Sequence, residues 1–209
     1  MSRGETSKPR TRRKDARPGE IVEAAMQEFA EQGFAGARIE RIARRAGVAK
    51  GTVYLYFKTK DELFEAAVRE NISPMFARLG ALAEAHPGTA AELLTQVIHN
   101  AYAELVDKPQ RRVILRVLIA EGARFPRLTA FYHQEIITGA VGLLEAIVRR
   151  GVATGEFDQT LALATPQVVM GPALMAIVWK LTFDEVAPLD LKAFAAAHCD
   201  LVLNGLRKR

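Results

Sequence analysis

Apolar residues along this chain recur three and four positions apart and hardly ever alternate strictly. That spacing gathers them on one face of a helix, whereas alternation would line one face of a strand. Ile21, Ala25 and Phe29, with Val22 and Met26 beside them, predict a first helix over about 18–32, ended by Gly33. Ile39, Ile42, Ala43 and Ala46 share a face of a second helix over about 38–46. Gly47 closes it, because the tight turn needs a residue that tolerates positive φ. Val48 and Val53 point inward around a short third helix, about 49–55. The fourth opens at Thr59, where Glu62 three residues on makes a capping-box pattern. It runs about twenty residues with Leu63, Phe64, Ala67 and Val68 inward.

Ala85-His86-Pro87-Gly88 breaks the chain, and further helices follow at about 89–106, 108–122, 126–151, 165–183 and 189–206. Pro172 lies well inside the eighth and is expected to kink or interrupt it. No hairpin turn stands out, so the predicted fold class is all-α, about nine helices without an internal repeat.

Charge divides the chain where the pattern changes. Residues 1–60 carry 14 Lys/Arg against 7 Asp/Glu, and residues 61–209 carry 15 against 17, within a net charge of +5. Positive charge on the short N-terminal helices suits a polyanion, since each neutralised phosphate releases counterions. Three parts are expected: a basic arm over 1–17, a DNA-binding helix-turn-helix domain over 18–60, and a helical ligand-binding and dimerisation domain over 61–209. The arm holds Arg3, Lys8, Arg10, Arg12, Arg13, Lys14 and Arg17 among Pro, Ser and Thr. Its composition fits a disordered tail when free and a groove- or backbone-bound arm when docked.

Cys199 is the sole cysteine, so no internal disulfide can form, which suits a cytoplasmic protein. The N-terminus has no apolar core of a secretion signal. Leu161–Trp179 holds no charged residue, but Pro166, Gln167, Gly171 and Pro172 favour a buried helix over a membrane span.

A helix entering the major groove reads bases mainly from its first turn, here Ala49-Lys50-Gly51-Thr52. Lys50 can donate to guanine O6 and N7, and Thr52 can offer a methyl or a hydroxyl. Gly51 lets the backbone approach closely. Tyr54 and Tyr56 carry hydroxyls suited to phosphate oxygens, and Tyr54 is also a candidate for partial burial. Phe57 takes the buried slot beside Tyr56. Lys60 starts the fourth helix, where backbone amides also favour phosphate. Arg44 and Arg45 fit a solvated face or ion pairs better than base reading.

Ile21–Phe34, Ile39–Phe57 (IERIARRAGVAKGTVYLYF) and Lys58–Phe64 (KTKDELF) form one long joint pattern. It resembles the tetracycline-repressor (TetR) family of bacterial transcription regulators over residues 20–68. The resemblance implies a homodimer that binds double-stranded DNA at a palindromic operator and is released by a small molecule, acting as a repressor. Family members commonly carry Thr or Ser where this chain has Ala37, and Ser is common at Ala49. Arg38 is placed to replace some of the phosphate contact that Ala37 cannot make.

Beyond the fourth helix the resemblance supplies architecture only. Polar groups on apolar helical faces mark a candidate pocket: His99 and Tyr102 on the fifth helix, Arg116 on the sixth, Phe131 and Tyr132 on the seventh, and Trp179 on the eighth. Such a lining suits an apolar or aromatic effector. Arg116 is placed either to hold a carboxylate or to pair with Glu121, and His99, His133 and Trp179 also fit ordinary core or surface roles. The last two helices, rich in small and apolar residues, are expected to pair two subunits. No phosphate-binding loop, H-E-x-x-H or G-x-S-x-G is present, and no enzyme activity is expected. His198, Cys199 and Asp200 are sequential and so diverge around a helix, so no metal or other cofactor is expected; Cys199 stays open as an oxidation sensor.

Overall fold

The computed structural model describes residues 17–158 and 166–207. The basic residues from Arg3 to Lys14 lie outside the described residues, as do residues 159–165, which include the start of the charge-free stretch. The chain forms two compact units, the first ending at Ala67 and the second starting at Val68.

In the first unit, α1 spans Arg17–Gly36, with Gly33 at φ 68° inside it. That value breaks the regular helix where the glycine was expected to end it. Then come α2 (Ile39–Arg45), α3 (Lys50–Tyr56) and α4 (Lys60–Asn71), the last of which continues past Ala67. Gly47 turns the chain between α2 and α3 at φ 64°. Phe29, Phe34 and Phe64 form an aromatic cluster with ring centroids 5.5–6.3 Å apart. Ile21, Ile42, Val53 and Leu63 are also fully buried in this unit. The unit extends past residue 60 because Leu63 and Phe64, in the first turns of α4, are part of this core.

The second unit holds α5 (Ser73–Ala85), α6 (Ala90–Ala101), α7 (Pro109–Glu121), α8 (Pro126–Tyr132), α9 (Thr138–Ala153), α10 (Pro166–Thr182) and α11 (Leu191–Leu206). The expected twenty-residue fourth helix is interrupted at Ile72, between α4 and α5. Pro74 stands in the first turn of α5, where its missing N–H costs nothing but cannot continue the helix behind it. Two π-helical segments break the expected regularity. Tyr102–Val106 prolongs α6, and His133–Ile137 joins α8 to α9. The Asp107 N–H accordingly reaches back five residues, to the Tyr102 carbonyl at 2.9 Å.

Pro172 does not interrupt α10, which runs through it. The proline deprives the Val168 carbonyl of its helical donor, and Val168 is exposed, so water can take that place. A full capping box starts α6: the Thr89 hydroxyl accepts from the Glu92 N–H, and the Glu92 carboxylate accepts from the Thr89 N–H. Glu156 reinforces it by accepting from the Ala90 and Ala91 N–H groups, both at 3.1 Å. Among the described residues, no helix is long and apolar enough to cross a membrane.

Candidate nucleic-acid interface and effector cavity

Packing decides which side of α3 remains available. Val53 and Phe57 are four apart and both buried, so they anchor the helix. The opposite side presents Lys50, Gly51, Tyr54 and Leu55 to solvent, with Ala49 exposed at the N-cap. Gly51 has negative φ, and a Cβ added there would meet nothing within 4 Å, so the protein's own packing does not require a glycine. Thr52 and Tyr56 are half-buried, Tyr56 leaning on Phe57 with centroids 6.5 Å apart. Leu55 is 81% exposed, the most exposed large apolar side chain of this unit. Its place two residues after inward Val53 sets it outward.

The cations here are mostly engaged. Lys50 pairs with Glu40 of α2 and lies 5.8 Å from the Tyr54 ring centroid. The hydrogen bond from Lys50 holds the Glu40 carboxyl below its ordinary pKa, and the same bond raises the Lys50 ammonium. Arg45 pairs with Glu31 and with Glu28, whose side chain is fully buried, and Arg41 lies 3.7 Å from the other Glu28 oxygen. These pairs tie α2 to α1. Lys60 donates to the Phe34, Ala35 and Ala37 carbonyls at 2.5, 3.1 and 3.0 Å, and its ammonium sits 4.8 Å from the Phe34 ring centroid. It thereby secures the segment leading into α2. Arg38 is the exposed N-cap of α2, with no side-chain cap, and Ala37 is buried before it, where a small apolar side chain fits. The Thr59 hydroxyl accepts from the Glu62 N–H at 3.2 Å, while the Glu62 carboxylate reaches back to the Lys58 N–H at 2.7 Å, one residue beyond the box position.

The second unit encloses a cavity of about 320 Å³ between α5, α6, α9 and α10, with Leu115 of α7 and His198 of α11 closing it. Its wall is almost entirely hydrocarbon: Met75, Leu79, Val97, Leu144, Met170 and Ile177 are representative. Leu105, Ile136 and Ile137, from the two π-helical segments, also face it. The polar side chains on the wall are Tyr132, Gln167 and His198.

His198 is buried, and its network assigns the tautomer. Nε2–H donates to the Val169 carbonyl at 2.9 Å, leaving Nδ1 to accept from the Tyr102 hydroxyl at 3.1 Å. Burial pushes the His198 pKa down, so the ring is neutral near pH 7. Burial pushes the Tyr102 hydroxyl up to about 12 and raises Tyr132 as well, keeping both phenols protonated.

Of the six predicted pocket residues, Tyr132 lies on this wall and Tyr102 stands behind it through His198. The others are elsewhere. His99 Nδ1 is bonded to the Thr95 carbonyl at 2.9 Å on an exposed face. Phe131 lies under the Arg69 guanidinium at 4.7 Å. The Trp179 indole donates to the Ala187 carbonyl at 2.7 Å and packs on Phe183 with centroids 5.1 Å apart. Arg116 is half-buried on α7, off the wall. The Cys199 thiol is buried with its pKa raised by burial, 3.8 Å from His99 Nδ1. The missed wall residues include Phe76, Gln167 and His198 but are mostly aliphatic, and sequence pattern cannot separate an aliphatic side chain facing a void from one facing another side chain.

Residues 21–67 match the family of bacterial regulatory proteins, tetR family. Over 91% of its length the chain is 25% identical to the fatty acid metabolism regulator protein of Bacillus subtilis (strain 168), covering 95% of that protein. The fold is similar to that of the regulator FadR from Bacillus subtilis, solved in complex with stearoyl-CoA, at a TM-score of 0.72 and 22% identity, covering 90% of this chain and 99% of that one. It is also similar to SmeT in its triclosan complex, at a TM-score of 0.77 and 24% identity, covering 92% of each chain.

Proposed function

Because the chain belongs to the TetR family of bacterial transcriptional regulators, we propose that it represses transcription as a homodimer on a palindromic operator and leaves it when an apolar effector fills the cavity. The observation that carries the DNA half is the sidedness of α3. Val53 and Phe57 hold it from behind, and Lys50, Gly51, Tyr54 and Leu55 face outward. Lys50 and Thr52 read base edges, Leu55 meets a thymine methyl or sugar, and Tyr54, Tyr56 and Arg38 position the phosphates. In this reading Lys60 supports the interface by holding the segment before α2, and residues 1–17 add a basic arm. The reader spans residues 18–60 with the first turns of α4, and the remainder senses and pairs.

The dimer rests on α10 and α11. Val168, Leu174, Met175 and Leu201 are large, apolar and exposed, interspersed with exposed Gly171, Ala193 and Ala197. A second copy would bury this surface and place two α3 helices on half-sites about 34–36 Å apart. The effector is apolar because the wall is. Two similar folds hold stearoyl-CoA and triclosan, each with a large hydrophobic body. Such a ligand shifts operator occupancy only by its difference in affinity for the DNA-bound and released states. The relatives are regulators by name, and we read this chain as a regulator and not an enzyme.

The test is selection from a random duplex library at two salt concentrations, with sedimentation of the bound species. Enrichment of a palindrome bound by dimers, weakening steeply with salt, is the expected result. Recovery of no preferred sequence would sink the proposal.

A further inference from the structure

The three polar side chains on the cavity wall differ in what they have left to offer. Both His198 ring nitrogens are committed, one to the Val169 carbonyl and one to the Tyr102 hydroxyl. Gln167 is solvent-exposed in the first turn of α10. Tyr132 is 6% exposed and lines the cavity; no described residue hydrogen-bonds its hydroxyl, which is not among the fully buried unpaired atoms and so keeps accessible surface. Buried hydroxyls ordinarily find a partner, because losing water without a replacement is unfavourable. An unpartnered one on the wall of a hydrocarbon-lined space is a donor waiting for an acceptor.

The rest of the wall limits what that acceptor can belong to. No lysine, arginine or acidic residue stands on it among the described residues. A carboxylate or phosphate inside would lose its hydration without a counter-charge. The Tyr132 phenol is protonated, so it donates one hydrogen bond and supplies no charge.

Resting on the reading of this cavity as the effector site, we infer that the effector is uncharged within the cavity: a hydrocarbon body carrying one carbonyl-type oxygen, as in a ketone, ester or thioester, that accepts from the Tyr132 hydroxyl. Tyr132 thus sets which apolar molecules are recognised, and the aliphatic wall sets only their bulk. A charged headgroup, where the molecule has one, stays outside.

Calorimetric titration of the full chain and of Tyr132→Phe with three nine-carbon probes tests this: a methyl ketone, the alkane and the carboxylate. The ketone should bind the unaltered chain most tightly. Tyr132→Phe should weaken ketone binding roughly two- to tenfold, the range of one neutral hydrogen bond, and leave alkane binding unchanged. The ligand-free variant should be no less stable, since its hydroxyl had no partner to lose.

Equal ketone affinity in both proteins overturns the inference, as does tightest binding of the carboxylate or binding of none of the probes. A fall in the stability of ligand-free Tyr132→Phe overturns it too, by showing that the hydroxyl already had a partner such as a trapped water. Operator binding by both proteins without ligand is measured alongside. Its loss in the unaltered chain defeats the regulator reading, whereas failure of the ketone test alone defeats only the ligand class.

Discussion

The two units use polar side chains in opposite ways. In the first, cations are numerous, exposed or half-exposed, and held by specific partners: Lys50 by Glu40, Arg45 by buried Glu28 and by Glu31, Lys60 by three carbonyls. In the second, the cavity has a hydrocarbon wall, and its histidine is kept neutral. A surface for a polyanion needs particular groups at particular places, so each position there is chemically restricted. A cavity for an apolar body needs only volume and dryness, so many aliphatic combinations serve equally well.

The largest expected contrast is in packing. Phe64→Ala removes a ring surrounded by Phe29 and Phe34 and should cost about 3–5 kcal/mol. Leu144→Ala, at a side chain already facing the cavity, should cost about 2 kcal/mol, since fewer contacts exist to lose. Urea midpoints of the two variants check this, and equal losses would mean that the cavity closes up in solution.

Next in size is Lys50→Ala. It should weaken the selected DNA site by about 1–3 kcal/mol and random duplex by less, measured by fluorescence anisotropy. An equal loss on both would make Lys50 a phosphate contact.

A pH effect belongs to the second unit. His198 has a lowered folded-state pKa, so below the unfolded value of about 6.5 the unfolded chain binds the proton first. Its contribution is fully present above about pH 6.5 and is lost as pH falls toward the folded-state pKa. Urea unfolding between pH 7.5 and pH 5.5 (roughly one unit either side of that reference) should show this loss, and His198→Phe should shrink it. An identical pH response in the variant would assign the effect to other groups.

Smallest is Gly51→Ala. It should stabilise the free protein by up to about 1 kcal/mol, because alanine favours helix and the position is open. The same methyl should weaken DNA binding. A variant gaining stability with unchanged DNA affinity would show that DNA never comes close to this backbone.

Legibility followed the same divide. Gly33 and Gly47 were readable as breaks because positive φ leaves few alternatives, and both adopt it. The inward pair on α3 was readable because Val53 and Phe57 are one helical turn apart. The partners of Lys60 were not, because carbonyls in the preceding segment leave no side-chain signature. The break at Ile72 was passed over although Pro74 advertised it, since the apolar periodicity runs on across it. The two π-helical segments were invisible for a geometric reason: one extra residue in a turn shifts the apolar spacing by less than ordinary variation does. On the cavity wall, sequence flagged Tyr132 but could not mark the aliphatic side chains that make up most of it.

Those π-helical segments have a consequence for the gene. Each carries one residue more than a regular turn, so removing a single codon, such as that for exposed Ala103 or exposed Gln134, would return the segment to ordinary α-helix. Single-codon deletions, normally ruinous inside a helix, should be tolerated at these two points more readily than elsewhere. What they would redraw is the outline of the chamber beside them, giving the lineage a route to a new chemical signal through a change in length.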